Sequence, residues 1–424
     1  MAALLRFCYS ACFYLLLPVV FWRLWQRGQK SLAYRLRWSE RFGHVPFKLD
    51  HCIWLHSVSL GETIAATPLI KYLIEAYPNT PILVTTTTPT GSDQVVKTFK
   101  EAIYHCYFPY DLPHALRRFT RRVKPKALII METELWPNLL AHCQHKKIPV
   151  LLANARLSQR SADGYARFQS VSQAMMTQLT RIAAQNQNDA DRFIALGAAK
   201  DKVTVTGNIK FDLTPPDNIV ELSQPLREMW PSRPVWVAAS THDGEEQQVL
   251  AAHRQLCQQL PGCLLILVPR HPERFDQVAD LIKQQGFQYV RRSSKQSCQQ
   301  GCQVFLGDTM GEMMLFYASA QVAFVGGSLV PVGGHNLLEP AALSLPSLTG
   351  PHVHNFKEIT KMLVDSQATI MVNDADSLAS NVLALLQDDQ QRQRMGQAGQ
   401  TIVYNNRGAK AKLVEVIASF LASL

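Results

Sequence analysis

Two acidic segments and one lysine stand where strand-to-helix turns could put them to chemical use. The first is Glu62 in HSVSLGE, where an apolar strand gives way to a helix. A carboxylate there can take a proton from an attacking hydroxyl. The spacing from Ser59 to Glu62 also matches the S/T-x-x-E capping box, and on spacing alone helix capping is the stronger reading. METELWPN sets Glu132 and Glu134 at the end of another strand. Two inward-facing carboxylates raise each other's pKa, which suits a base. The plainer alternative is that one faces inward while Pro137 opens the next helix. Lys210, in GNIKFD, follows a further strand, where an ammonium meets a phosphate or carboxylate, or is merely solvated.

The second half of the chain carries phosphate-like chemistry. VPRHPERF places Arg270, His271 and Arg274 just after a strand and around a helix start, a natural place for a phosphate. GDTMGEMM offers Met310, Gly311 and Glu312 at another helix start, again compatible with capping through Thr309. FVGGSLVPVGGHNLLEP has two Gly-Gly pairs, which allow backbone amides to point at a ligand, followed by His335, Asn336 and Glu339. One glycine-rich turn is weak evidence, but three such turns in one half favour a nucleotide-phosphate site. Two DxD triplets, Asp189/Asp191 and Asp374/Asp376, follow an asparagine and introduce helical stretches, so capping explains them better than metal binding. There is no GxxxxGK[ST], and no GxGxxG after the first strand, which leaves an ATPase or a dinucleotide enzyme without support.

The elements that must carry these turns alternate regularly. Strands are expected at Ile53–His56, Ile82–Thr86, Ile103–Phe108, Ala127–Met131, Val150–Ala153 and Ile182–Gln185, with helices such as Glu62–Ala76 and Leu112–Val123 between them. This βαβ rhythm calls for a parallel sheet covered by helices. A polar, proline-rich stretch over 213–234 reads as a linker. A second alternation then runs through Val235–Ser240, Leu264–Pro269, Gln303–Asp308 and Val322–Gly327 to a last helix near Ala409–Leu424. The chain of 424 residues is thus expected to hold two doubly wound α/β domains, at 51–212 and 235–424. Their ligands belong at the carboxyl ends of the strands, across a cleft. The last helix is free to return to the N-terminal domain.

The N-terminus has a different character. Phe7–Trp22 is an uncharged apolar run of 16 residues, roughly 24 Å as a helix. Seven cations against one anion, Glu40, follow between Arg23 and Lys48, interleaved with aromatics. Residues 1–22 therefore read as an uncleaved membrane anchor and 23–50 as a basic, aromatic membrane-proximal segment, which puts the bulk of the chain on the cytoplasmic side. The run and the chemical motifs lie far apart in sequence, so the site is expected to assemble without the anchor. Nine scattered cysteines suit reduced thiols, Cys298 and Cys302 being the nearest pair.

Taken together, HSVSLGE, METELWPN, NARLS, GNIKFD, VPRHPER, GDTMGE and VGGSLVPVGGHNLLEP resemble the Kdo transferase family, whose members attach 3-deoxy-D-manno-octulosonic acid (Kdo) to the lipid A precursor. The likeness runs from the N-terminal segment past residue 355. It implies a GT-B fold, CMP-Kdo as donor, an inverting transfer, neither metal nor cofactor in that step, and a place at the bacterial inner membrane among anionic lipids. Carried over motif by motif, it implies Glu62 as catalytic base, with Glu132 and Lys210 stabilising the transition state. CMP contacts would fall on Pro269, Arg270, Met310, Gly311, Glu312, Asn336, Leu337, Leu338 and Glu339. Two rivals stand beside it. One is another GT-B enzyme, a UDP-sugar transferase or epimerase. The other is a non-catalytic protein whose basic segment contacts membrane or nucleic acid; it leaves the acids at the strand ends unexplained, and nucleic acid is not expected as a partner.

Overall fold

In a computed structural model, described here for residues 2–30, 32–230, 232–299 and 301–424 and without the side chain of Lys30, the chain divides into two compact units. One comprises Met1–Lys210 together with Gly408–Leu424, the other Phe211–Arg407.

The first unit is built on seven parallel strands: β1 (Cys52–His56), β2 (Ile82–Thr86), β3 (Tyr104–Tyr107), β4 (Pro125–Met131), β5 (Val150–Ala155), β6 (Arg181–Ala184) and β7 (Val203–Val205), in the order β3-β2-β1-β4-β5-β6-β7. Successive side chains of a strand point to opposite faces, and both faces are buried here. Trp54, Leu128 and Ile130 pack on one side with Leu116, Phe119 and Leu139 from the covering helices. Ile53, Leu55 and Ile129 pack on the other with Leu69, Ile70 and Leu73 of the helix Leu60–Ala76. That double burial is why these strands read as continuous apolar runs. The last helix, Ala409–Ala422, returns to this unit and inserts Leu413, Ile417 and Phe420 into the second of these faces.

The second unit repeats the plan with β8 (Val235–Thr241), β9 (Leu264–Pro269), β10 (Tyr289–Arg291), β11 (Val304–Leu306), β12 (Val322–Val325), β13 (Ser347–Thr349) and β14 (Thr369–Met371), ordered β10-β11-β9-β8-β12-β13-β14. Three of these, β10, β13 and β14, have no counterpart in the sequence reading. Each is three residues long and lies toward an edge of the sheet, too short for a period to register. The stretch read as a linker contains a helix, Ile219–Arg227, and buries Leu226 and Trp230 against the second sheet, with Trp230 edge-on to Phe305 at 5.3 Å.

A 29-residue helix, Ala2–Lys30, opens the chain and is long and apolar enough to cross a membrane by length and composition. It does not stand apart from the first unit. It packs along the helices Pro137–His145 and Gln169–Gln178, and Phe21 stacks on Phe42 at 5.5 Å. Its other side is bare and apolar, with Phe7 70% and Leu15 79% exposed. The basic segment that follows is not one surface. Arg41 is buried, its guanidinium 4.2 Å from the centre of the Tyr107 ring and donating to the Thr87 carbonyl at 2.9 Å. Arg37 pairs with Glu40 at 2.8 Å and donates to Ser92 at 3.0 Å. Arg41 is thus spent inside the fold, a correction to its reading as membrane-facing charge, whereas Arg37 is exposed but already paired. Their neighbour Lys30 lies outside the described side chains.

Candidate active site

Glu62 sits in the first turn of the helix Leu60–Ala76, just beyond the carboxyl end of β1. Ser59 is the N-cap and accepts from the Glu62 N–H at 3.4 Å. The Glu62 carboxylate does not close the usual box onto the Ser59 N–H. It reaches one residue further, accepting from the Val58 N–H at 2.8 Å and from the Ser59 hydroxyl at 3.1 Å. Capping therefore fixes this carboxylate in place without using up its capacity to take a proton. Burial pushes its pKa up to about 7, the charges of Glu132 and Glu134 add to the rise, and the Val58 and Ser59 bonds hold it back. A Cβ added to Gly61 would meet nothing nearer than Ser59 Oγ at 4.0 Å, so no protein neighbour demands glycine there.

Glu132 ends β4 in a left-handed conformation, φ 55°, which glutamate rarely adopts. Its N–H is held by the Ala153 carbonyl at 3.0 Å, and its carboxylate pairs with Lys210 Nζ at 2.8 Å, both groups mostly shielded. Lys210 is delivered by a short turn, Ile209–Phe211. The buried Asn154, in the NARLS segment, fixes that turn by accepting from the Ile209 N–H at 3.2 Å. Asn154 is itself left-handed, φ 51°. Its role was not assigned from sequence, although an asparagine closing a strand is a recognisable signal for that conformation. The first unit thus gathers Glu62, the Glu132–Lys210 pair and Glu134, whose pKa burial also raises. Pro137 begins the next helix, so the plain reading of that proline holds as well. His56, stacked on Phe108 at 3.9 Å, is pushed down to about 3 by burial and is neutral.

In the second unit the three turns are sorted by what already occupies their polar groups. Arg274 is engaged, donating to the buried Glu246 at 2.5 and 3.2 Å and to Asp243 at 3.1 Å. Its reading as a phosphate ligand is corrected on that account. The Arg270 side chain makes no hydrogen bond or ion pair among the described residues, while its backbone N–H is anchored on Thr241 at 3.0 Å. Around it lie His242, His271 and His335. His242 and His335 stack with ring centres 5.1 Å apart, and one Nε2 donates to the other at 2.8 Å. Burial first, then neighbouring positive charge, lowers them to about 4 and about 3, so both are neutral.

Glu312 is held by Arg292 at 2.8 and 3.1 Å and by the Thr309 hydroxyl. Burial would raise its pKa, but those partners outweigh it and the carboxylate is lowered. Of the two acids offered for ribose hydroxyls, Glu339 is the less engaged, accepting from Asn336 Nδ2 at 3.3 Å, with its pKa raised by burial. Asn336 Oδ1 accepts from the Leu338 N–H at 3.1 Å, which ties the turn together, and Leu337 and Leu338 are core residues. Met310 is exposed and Gly311 takes φ 85°. Pro269 is buried at the end of β9.

The Gly-Gly turn after β12 holds the largest departure from the sequence reading. The amides of Gly327, Ser328 and Leu329 do not offer themselves to a ligand. They converge on the carboxylate of Glu245 at 2.6, 2.8 and 2.8 Å, joined by the His242 N–H at 3.0 Å. Glu245 is fully buried, and a side chain at Gly326 would strike it at 2.8 Å. Neither Glu245 nor His242 was singled out from sequence. THDGEE looks like an ordinary acidic helix start, and only burial distinguishes it. The two DxD triplets likewise stand at helix starts, with Asp189 alone buried. Asn186 caps the helix Gln187–Ala195 by accepting from the Asp189 N–H, and Asp374 caps Ala375–Gln387 with a full capping box.

Residues 36–213 match the family described as 3-deoxy-D-manno-octulosonic-acid transferase, and residues 244–402 match glycosyl transferases group 1. A 3-deoxy-D-manno-octulosonic acid transferase of Haemophilus influenzae is 45% identical over 421 residues, covering 98% of this chain and 99% of that protein. One from Bordetella pertussis is 35% identical over 427 residues, covering 96% and 97%. Among solved structures, a UDP-GlcNAc 2-epimerase from Neisseria meningitidis bound to UDP-GlcNAc overlays with a TM-score of 0.56 at 14% identity, covering 88% of this chain and 100% of that one. That likeness concerns the fold alone.

Proposed function

We infer what this chain does from one premise: it belongs to the 3-deoxy-D-manno-octulosonic-acid (Kdo) transferase family. It is a GT-B glycosyltransferase that transfers Kdo in the building of lipopolysaccharide core. The donor in this reading is CMP-Kdo and the acceptor is the lipid A precursor. Glu62 is the base, accepting the proton of the acceptor's sugar hydroxyl as that oxygen attacks the anomeric carbon from the face opposite the nucleotide. The bond to the phosphate oxygen breaks, and the departing CMP gathers negative charge. Arg270 is the group for that charge, being a guanidinium without a partner among the described residues. The Glu132–Lys210 pair stabilises the oxocarbenium-like transition state, and Glu339 takes the ribose hydroxyls.

The observation that carries this reading is a carboxylate fixed by two hydrogen bonds whose pKa stands at about 7. A general base is most effective when its pKa lies near the working pH. The N-terminal helix attaches the enzyme to the cytoplasmic side of the inner membrane. With one face packed on the first unit and the other apolar and bare, it suits burial in a single leaflet better than a crossing.

The test is mass analysis of the products formed by purified full-length protein from CMP-Kdo and tetraacylated lipid A precursor, with UDP-sugars in parallel. Growth of the acceptor by Kdo with CMP-Kdo alone is expected. Turnover only with a UDP-sugar, or epimerised sugar in place of glycolipid, would overturn the reading.

A further inference from the structure

We propose that Ser10, Asn138 and Asp111 are positioning residues through which the N-terminal helix holds the Glu132–Trp136 turn beside Glu62. The proposal rests on the reading of Glu62 as base, and it gives the helix a task in turnover that a membrane anchor does not have.

Ser10 lies in the first half of that helix and is only 8% exposed. Its hydroxyl accepts from Asn138 Nδ2 at 2.9 Å and sits 3.2 Å from Asn138 Oδ1, across 128 residues of sequence. Asn138 also donates through Nδ2 to the Asp111 carbonyl at 2.8 Å. The Asp111 carboxylate in turn accepts from the backbone N–H groups of Asn138 at 3.0 Å and Leu139 at 2.7 Å. Those are N–H groups that the helix Pro137–His145 cannot pair within itself. Its own N-cap residue, Trp136, supplies no side-chain cap. A buried acid from the segment after β3 therefore caps the helix, and the N-terminal helix closes the network from outside. Phe13, one turn along, packs on Tyr110 with ring centres 6.0 Å apart. A helix serving only to partition into lipid has no use for a polar contact buried against protein.

The capped helix begins immediately after the turn that carries Glu132 and Glu134. Any shift of its start moves both acids. They are the charged groups that bear on Glu62, with Lys210 paired to Glu132; the remaining contacts of Glu62 are its own cap at Val58 and Ser59. Asp111 itself faces Tyr9 and Arg6 from the N-terminal helix and the N–H groups it caps. Docking of the helix is thus tied, through two side chains, to the position and proton affinity of the base.

The test uses full-length Ser10→Val in detergent with both substrates saturating, so that membrane recruitment does not limit the rate. Expected are a kcat about ten-fold lower, the order that a small misplacement costs, an unchanged KM for CMP-Kdo, and an unchanged Tm. The acid limb of the pH profile should move down, because Glu132 and Glu134 no longer press on Glu62 as closely. Ser10→Thr, which keeps the hydroxyl, should restore all of these. Should Ser10→Val fail to fold, Ser10→Ala removes the same hydroxyl with no added bulk and carries the same expectation. Wild-type kcat and acid limb with loss only of liposome binding would show a mere anchor and overturn the proposal. So would a lowered Tm with wild-type kcat per folded molecule. If Glu62→Gln keeps its turnover while Ser10→Val loses it, the base has been misassigned and the positioning stands.

Discussion

At the scale of single residues, Glu62 shows why spacing could not decide between cap and base. Both uses need a carboxylate at the third residue of a helix, and the quantities that favour the proposed base are burial and the charge of Glu132 and Glu134. Neither is visible in a string of letters. Glu62→Gln should leave Tm nearly unchanged, because the amide oxygen can still accept from the Val58 N–H. It should lower kcat by a factor on the order of 10² or more. The proposed base must be ionised to act, so activity should climb through an acid limb near pH 7 and level off above it. A limb near pH 4.5, measured at saturating substrate, would remove Glu62 from the role. Arg270 and Arg274 were equal in the sequence and are unequal in the fold. Arg270→Gln should raise KM for CMP-Kdo with Tm unchanged. Arg274→Gln should instead lower Tm, by stranding the buried Glu246. Parallel melting and kinetic measurements on the two variants separate them.

At the scale of elements, the long apolar strands and the helices behind them were legible because each is buried on both faces and carries a strong pattern. The three-residue strands β10, β13 and β14 were not, since a short edge strand leaves no period to read. The glycine-rich turn was legible as a turn and illegible in its direction, because its amides answer to an acid 82 residues earlier. Glu245→Gln removes a charge that accepts four N–H bonds and places an NH₂ where some of them point. The cost should be about 2–4 kcal/mol of stability, with weaker donor binding as the turn loosens. A variant with wild-type unfolding midpoint and donor affinity would dismiss this account. The helix starts that absorb both DxD triplets lead to a further expectation. EDTA should not abolish transfer, and activity that vanishes with chelator and returns with magnesium would send the search for ligands back to Asp191 and Asp376.

At the scale of the whole molecule, the alternation of strands and helices forecast two α/β halves meeting near residue 212 and left the last helix free to return, but not which of the two sheets it would cover. The boundary falls at Lys210 and again at Gly408, because Leu413, Ile417 and Phe420 fill the face of the first sheet rather than the second. An amphipathic helix at the end of a chain does not say in its sequence which apolar surface it will cover. Removal of residues 408–424 should therefore unfold the first unit while the second keeps its protection from hydrogen exchange; the reverse pattern would reassign the helix. The same feature sets a timetable. Along the chain the seven strands of the first sheet come before the second unit, and the helix that closes their core comes after it. At roughly 5–20 residues per second, the first sheet waits on the order of tens of seconds with one apolar face uncovered while the second unit is made. Chains truncated after Arg407 and released from the ribosome should then be cut by protease within the first unit and resist it within the second, so that arrival of the helix Ala409–Ala422, rather than order of synthesis, governs when the first unit becomes whole.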